Sequence, residues 1–357
     1  MTKSPSRIVT EDVEYIVKVL AKKLDVLEGT TVLVTGASGL FGSYFLDVIA
    51  YLNETTFKKN CRVIAIQRSD PSKTAKLKYL TDRKDITFVK HDARYPYEPE
   101  TKIDYFVHSA GMSAPAFFQA DPLGTVDINV NGIRWVLEAA KKDASTSVLY
   151  MSSGEIYGHP TPENIPIKET YNGNVSSLDL RACYAESKRL SETLCATYKR
   201  EYEVPVKIAR SFATYGPGLT TNDRRVIADF IRNGIEGKPI EMLSDGSDTR
   251  VFCYISDATI AFFEILLSQF NGEAFNVSND LGAVRILDLA NYIHEICDIK
   301  EPVKIKTREK ADFIKDAPTV VMPDISKIKT YFNFEPKIDI KEGLRRTIEW
   351  NKEILKV

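Results

Sequence analysis

Residues 30–52 read TTVLVTGASGLFGSYFLDVIAYL. TTVLVTG (30–36) is an apolar run of strand length without alternation, so both of its faces must be covered. LFGSYFLDVIAYL (40–52) has the length and spacing of a helix. Between them Gly36, Gly39 and Gly42 stand three apart. A turn this tight needs residues without Cβ, and it brings backbone N–H groups and a helix N-terminus up to an anion. Strand, glycine turn and helix in this order start a βαβ unit that holds a dinucleotide pyrophosphate, with Gly36, Ser38, Gly39, Leu40, Phe41 and Gly42 against it. Three glycines alone also fit a plain strand–helix connection, and the rest of the chain decides between the two.

That pattern repeats. RVIAIQR (62–68), ITFVKHD (86–92), YFVHSAG (105–111), SVLYMSS (147–153) and VPVKIARSF (204–212) read as further buried strands. IRWVLEAAKK (133–142) and ACYAESKRLSETLCATYKREY (182–202) read as helices, and residues 158–180, rich in Pro, Asn and Ser, as a loop. Strands apolar on both faces and separated by helices predict an α/β fold, a doubly wound parallel Rossmann sheet. The expected organisation is an N-terminal helical extension (1–29), a dinucleotide-binding Rossmann domain (30–212), and a smaller mixed α/β substrate-binding domain (213–357) whose residues 252–280 return to the first. In the extension, Val13, Ile16, Leu20, Leu24 and Leu27 fall at helical spacing over 11–27, with Thr10 as its cap and Gly29 as its stop. This helix is expected outside the sheet as a structural appendage.

The 357 residues, 43% hydrophobic, are ample for a large core. Forty-eight basic residues against 49 acidic ones exclude a general electrostatic grip on nucleic acid or an anionic membrane. No run approaches the roughly 18 apolar residues of a membrane span, and MTKSPSRIVTEDVEY lacks the apolar core of a secretion signal. Cys61, Cys183, Cys195, Cys253 and Cys297 are scattered without metal-ligand spacing, so no metal site and reduced thiols in a cytoplasm are expected.

The second strand should supply the group that reads the adenosine ribose. An acid there favours NAD and a base accommodates the NADP phosphate. The strand ends Ile66-Gln67-Arg68-Ser69, so the acid is missing. Arg68 leans the choice toward NADP, a solvated surface arginine fits equally, and the cofactor stays NAD or NADP. Asp92, ending the next strand, is placed either to accept from adenine N6 or to sit in solvent. Tyr184 and Lys188, four apart, share one helix face. A phenol with a pKa of about 10 is a poor base at neutral pH. A nearby ammonium and a nicotinamide cation favour the phenolate. Ser153 ends the preceding strand, where its hydroxyl can bond the reacting oxygen. Tyr-x-x-x-Lys is common by chance; the ordered set of glycine turn, strand-end serine and this pair is specific.

With these residues the chain resembles the extended short-chain dehydrogenase/reductases that modify nucleotide sugars, from about residue 30 to 350. The likeness rests on TGASGLFG (35–42), HSAGMSAP (108–115), Asn129, SSGEIYG (152–158), YAESK (184–188), ARSFATYGPG (209–218) and DTRVFCYISD (248–257). Within that family, RACYAESKRLSETLCATY (181–198) and NDRRVIADFI (222–231) are most similar to UDP-glucuronate decarboxylases. The resemblance implies Tyr184 as base, Lys188 as its partner, Ser153 as hydroxyl donor and Glu155 as active-site acid. It also implies dinucleotide contacts from Ala93, Ser109, Ala110, Gly111 and Asn129 beside those named above, including Gln67. Sugar or diphosphate contacts are implied for Ser113, Arg225 and Arg250.

Three positions depart from the family's pattern, all in the substrate half. Where the decarboxylases carry Thr-Ser-Glu and many dehydratases Thr-Asp-Glu, this chain has Ser153-Gly154-Glu155. Ala213 replaces an asparagine, and the stretch before Pro323-Asp324, usually basic, reads Thr319-Val320-Val321-Met322. The expected chemistry is oxidation of a sugar 4-hydroxyl to a transient 4-ketone, with a tightly bound cofactor regenerated in each turnover. Decarboxylation of a uronate ranks first, 4,6-dehydration second and 4-epimerisation third. A non-catalytic dinucleotide-binding sensor or scaffold is the reading of another class; intact Ser153, Tyr184 and Lys188 stand against it. The resemblance further implies a homodimer through the Tyr-x-x-x-Lys helix, with Leu190, Leu194 and Tyr198 either on that face or in the core.

Overall fold

The computed structural model describes residues 6–179, 181–221, 223–305 and 318–355. The stretch that opened the reading folds as β1 (Thr31–Thr35), buried at every residue, and α2 (Leu40–Thr55), which follows α1 (Arg7–Leu20) in the chain. Side chains alternate across β1. Val32 and Val34 enter one core and Leu33 the other, as the period of a strand covered on both faces requires. The sheet is completed by β2 (Arg62–Gln67), β3 (Ile86–Lys90), β4 (Tyr105–His108), β5 (Ser147–Ser153), β6 (Val206–Ser211) and the edge strand Ala274–Val277.

All seven strands are parallel, in the order β3, β2, β1, β4, β5, β6, Ala274–Val277. The order reverses between β1 and β4, so the carboxyl ends of these two strands part and leave a crevice, the place where doubly wound sheets bind ligands. One face is covered by α2 and α7 (Ile255–Leu267), the other by α4 (Pro122–Asp143) and α5 (Ala182–Tyr202); the short α3 (Pro115–Ala120) precedes α4. The chain after residue 213 thus returns α7 and a seventh strand to the sheet. Its remainder builds α6 (Val226–Ile235), α8 (Ile286–Ile296), the C-terminal helix Ile340–Leu355 and a small sheet of Val284–Arg285, Thr249–Arg250 and Val320–Val321. No helix among the described residues is long and apolar enough to cross a membrane.

Two expectations change. The helix read as 133–142 is the C-terminal half of α4, which begins at Pro122 behind the Asp121 cap. Its first turns carry polar Asn129 and Thr125 inward, so apolar periodicity misses them. In the N-terminal extension Thr10 is no cap: α1 starts at Arg7, and the Thr10 hydroxyl donates to Ser6 O at 3.2 Å from inside the helix. Nor does the helix run to Gly29. It stops at Ala21, which has φ +46, and continues as a 3-10 segment, Ala21–Leu27. Leu24 and Leu27 stay buried because i and i+3 share a face in that tighter helix.

α1 lies not on the sheet but outside α2 and α7, as a third layer. It is tied down by a buried carboxylate. Asp12, 2% exposed, accepts from Tyr44 Oη at 2.7 Å, Tyr254 Oη at 2.9 Å and Arg346 Nη2 at 2.8 Å. One group therefore joins α1, α2, the entry to α7 and the C-terminal helix.

Candidate active site

Gly36 follows β1 with φ +69, a conformation that costs a residue with Cβ. A Cβ there would lie 2.7 Å from Ala110 N, so the β1 turn and the end of β4 touch backbone to backbone. A Cβ on Gly42 would meet Gly36 O and lie 2.8 Å from Ala37 Cα. The turn closes through Gly39 N–H to Gly36 O at 2.8 Å, and Gly39 caps α2 without a side-chain hydrogen bond. Ser38 is half-buried beside it, while Leu40 and Phe41 anchor the first turn of α2 on the core. The first N–H groups of a helix have no partner within it, so this turn presents donors and a positive dipole end to the crevice. Gly36→Ala is expected to weaken dinucleotide binding at least tenfold and to cost about 1–2 kcal/mol of stability, since strain and backbone contact add. Dinucleotide titration and urea unfolding of the variant check both.

The crevice continues along β4. Ser109 Oγ donates to Thr35 O at 2.7 Å, and Ala110 N–H to Thr35 Oγ1 at 3.3 Å, which locks the two strand ends together. Gly111 is exposed beyond them, 3.5 Å from Asn129 Oδ1 and 3.8 Å from Lys188 Nζ when measured from an ideal Cβ position. Asn129 is fully buried; its Nδ2 donates to Ser187 Oγ at 2.8 Å, while Oδ1 has no partner. Gln67 at the end of β2 is similar. It is buried, with Nε2 donating to Ser69 O at 3.0 Å and Oε1 unpartnered. Two orphaned buried acceptors beside a glycine-lined crevice fit a dinucleotide: Gln67 at its adenosine ribose, Asn129 and Lys188 at its nicotinamide end.

Arg68 is exposed. It adds positive charge near Asp92, whose carboxylate already accepts from Arg94 Nε at 3.0 Å and Nη2 at 2.7 Å and is held below its ordinary pKa by that bond. Ala93 O accepts from Trp135 Nε1 at 2.9 Å, so this residue shapes the crevice wall through its backbone.

β5 and α5 bring the reactive groups together. β5 ends at Ser153, whose Oγ accepts from Glu155 N–H at 3.2 Å and so starts the short helical turn Gly154–Tyr157. The Ser153 hydroxyl is close enough to the Tyr184 phenol to favour its ionised form. Tyr184 is 5% exposed, stacked parallel on Phe118 with ring centroids 5.3 Å apart. One turn later Lys188 Nζ donates to Met151 O at 2.7 Å, 5.8 Å from the Tyr184 ring centroid. Burial pushes the phenol up to about 12, against the pull of Ser153 and Arg225. The same burial brings the Lys188 ammonium down to about 7. The sequence led us to expect the phenol lowered by the lysine. In the protein alone desolvation outweighs every favourable contact on the phenol.

The substrate-side residues are placed as follows. Ser113 is exposed just ahead of α3. Arg225, at the start of α6, grips Asp223 through two nitrogens and reaches Thr214 O at 3.4 Å. Arg250 donates to Thr249 O, Thr319 O and Pro318 O at 2.9, 3.0 and 2.6 Å; burial lowers its pKa, and the Asp248 and then the Glu155 charge partly restore it. Asn222 and Leu180 lie outside the described residues.

Sequence reasoning missed three residues here. Arg181 donates from Nη2 to Glu155 Oε2 at 2.7 Å. Phe118 touches both Arg181 and Tyr184, with the guanidinium 5.7 Å from its centroid. Phe212 explains Gly154, because a Cβ there would lie 2.5 Å from its ring. Phe212 packs with Ile156, Tyr157 and Ile167, and Val321 packs on the same cluster. Gly154 and Val321 therefore border one apolar cluster, and Ala213 follows its Phe212 in the chain. Arg181, three residues before Tyr184 on the same helix start, was within reach of a spacing argument; the Phe212 contact joins β5 to a distant strand and was not.

This site has the parts of a dinucleotide-dependent enzyme. Residues 32–278 match the model of the NAD dependent epimerase/dehydratase family. The chain belongs to that family. It is 34% identical over 313 residues to UDP-glucuronic acid decarboxylase 6 of Arabidopsis thaliana, covering 88% of this chain and 86% of that one. To UDP-glucuronic acid decarboxylase 1 of Danio rerio it is 28% identical over 322 residues, covering 89% and 72%. An epimerase from Methanothermobacter thermautotrophicus shares the fold at a TM-score of 0.80 and 25% identity, over 94% of this chain and 97% of that chain. A UDP-glucuronic acid 4-epimerase from Bacillus cereus does so at 0.75 and 23%, over 91% and 100%. As a member of an NAD dependent family, the chain takes NAD(P).

Proposed function

We propose that this chain acts on a nucleotide-linked sugar through a transient 4-ketone and that its net reaction is loss of CO2 from UDP-glucuronate. The carrying observation is one cluster at the carboxyl ends of the strands: Ser153 and Glu155 both acting on the Tyr184 phenol, and Lys188 one turn on, next to the glycine-lined crevice. Bound NAD supplies the hydride acceptor and a positive ring charge near the phenol. Tyr184 takes the proton from the sugar O4, and Ser153 holds that oxygen in line. Lys188 keeps two N–H donors free of Met151 for the cofactor ribose and for the charge that develops on Tyr184. A 4-ketone makes the C6 carboxylate a β-keto acid, which loses CO2 readily. Loss of CO2 leaves the C5–C4 enolate, which takes up one proton at C5, and Glu155 is the nearby group placed to relay it before hydride returns to C4.

Gln67 Oε1 serves as acceptor for the adenosine ribose, which favours NAD over NADP. The names of the relatives at 34% and 28% identity support decarboxylation ahead of dehydration or epimerisation. Gly154 stands against a dehydratase acid, since it has no side chain and Phe212 fills the space. We further propose a cytoplasmic homodimer paired through α4 and α5. Of the three α5 residues considered, Leu190 is exposed at 47%, whereas Tyr198 and Leu194 pack into the core. A panel of UDP-, GDP-, CDP- and dTDP-sugars tests the reading. Only UDP-glucuronate should give transient cofactor reduction, and silence with every sugar would leave a dinucleotide-binding scaffold.

A further inference from the structure

Arg181 stands at the N-terminus of α5, where Tyr184 N–H donates to its carbonyl at 3.1 Å. The two side chains are thus fixed within one turn of each other, and both pack on Phe118. Three arginines surround the cluster, and two are spoken for. Arg225 is held by Asp223, and Arg250 by three backbone carbonyls. Arg181 differs. Among the described residues its guanidinium has one hydrogen-bond acceptor, Glu155 Oε2, through one nitrogen. Arginine's full recognition of a carboxylate uses two parallel bonds, so donors remain.

Exposure shows which partner can move. The Arg181 side chain is 14% exposed and backed by Phe118, while that of Glu155 is 38% exposed. The carboxylate can swing into water and the guanidinium cannot. In a hexuronate the C6 carboxylate hangs from C5, next to C4. A sugar whose O4 lies at Tyr184 and Ser153 therefore carries its carboxylate into the neighbourhood that Glu155 occupies in the protein alone.

We infer that Arg181 is the receptor for the substrate's C6 carboxylate and that Glu155 fills its place until the uronate arrives. This rests on the nucleotide-sugar reading above and adds the residue that selects an acidic sugar over a neutral one. A neutral hexose offers Arg181 only a hydroxyl and would have to displace a charged partner for it, so discrimination follows from the exchange itself.

The test is calorimetric binding of UDP-glucuronate, UDP-glucose and UDP to the full chain with saturating NAD, in a Tyr184→Phe background that blocks turnover. UDP-glucuronate should bind about tenfold or more tighter than UDP-glucose, the scale of one charge-assisted pair. Arg181→Gln should bring the two sugars to within about threefold while UDP binds as before. Glu155→Gln should act in the opposite sense, tightening UDP-glucuronate alone by removing the internal competitor. If both substitutions change the two sugars equally, Arg181 merely orients Glu155 and the inference is overturned. Should Arg181→Gln fail to fold, the sign of the Glu155→Gln effect still decides. The readout needs no turnover, so it stands apart from failure of the 4-ketone chemistry, which would show as unreduced cofactor in the unmodified protein.

Discussion

Tyr184→Phe should lower sugar-dependent cofactor reduction by about 10³-fold, within the range for losing a positioned acid–base group. The substitution removes one oxygen and keeps the ring, so the parallel stack on Phe118 and the packing around it persist. Dinucleotide affinity and thermal midpoint are therefore expected to stay within error. Because burial holds the phenol at about 12 in the protein alone, the unmodified enzyme starts far from a competent base at neutral pH. A bound nicotinamide cation would favour the phenolate. Stopped-flow absorbance of the reduced cofactor measures the loss. A rate within tenfold of the unmodified protein would remove Tyr184 from the chemistry.

The second large effect concerns stability. Arg346→Ala is expected to cost about 3–5 kcal/mol, the usual result of removing one partner of a buried ion pair. Asp12 has two tyrosine hydroxyls as well, yet burial already raises its pKa to about 6 with the arginine in place. Without Arg346 the carboxylate must stay charged without its cation or take up a proton at neutral pH. Either response loosens α1 from the C-terminal helix, since Arg346 also bonds Ile8 O at 3.3 Å and Glu11 at 3.1 Å. Urea unfolding at pH 7 checks the magnitude. A loss below about 1 kcal/mol, typical of a surface pair, would mean that α1 is held by its apolar stripe alone.

Much of this architecture could be read in advance because its signals are local. β5 and α5 begin and end at the residues their patterns indicate, Ser147–Ser153 and Ala182–Tyr202. Both have uniform periodicity and clear breaks. The first half of α4 escaped because it buries polar Thr125 and Asn129, and hydrophobic spacing cannot register them. The break at Ala21 escaped for the opposite reason: α-helical and 3-10 segments can carry one apolar stripe across a change of twist. At the site, Ser153, Tyr184 and Lys188 announce themselves by order and spacing. Their electrostatics do not, because a phenol's pKa depends on which atoms bury it. The departures at Gly154, Ala213 and Val321 appeared as three separate losses. In three dimensions Gly154 and Val321 both border the apolar cluster that contains Phe212, and Ala213 is the chain neighbour of Phe212, so the three departures fall in one neighbourhood.

In the proposed reaction a 4-ketone forms and CO2 leaves. Mass spectrometry of the nucleotide product from UDP-glucuronate, with the NAD-loaded protein, tests it most directly. The account predicts a UDP-pentose lighter than the substrate by one CO2, with the cofactor returned to its oxidised form. Recovery of UDP-glucuronate at unchanged mass and unchanged C4 configuration, without reduced cofactor at any time, would contradict it.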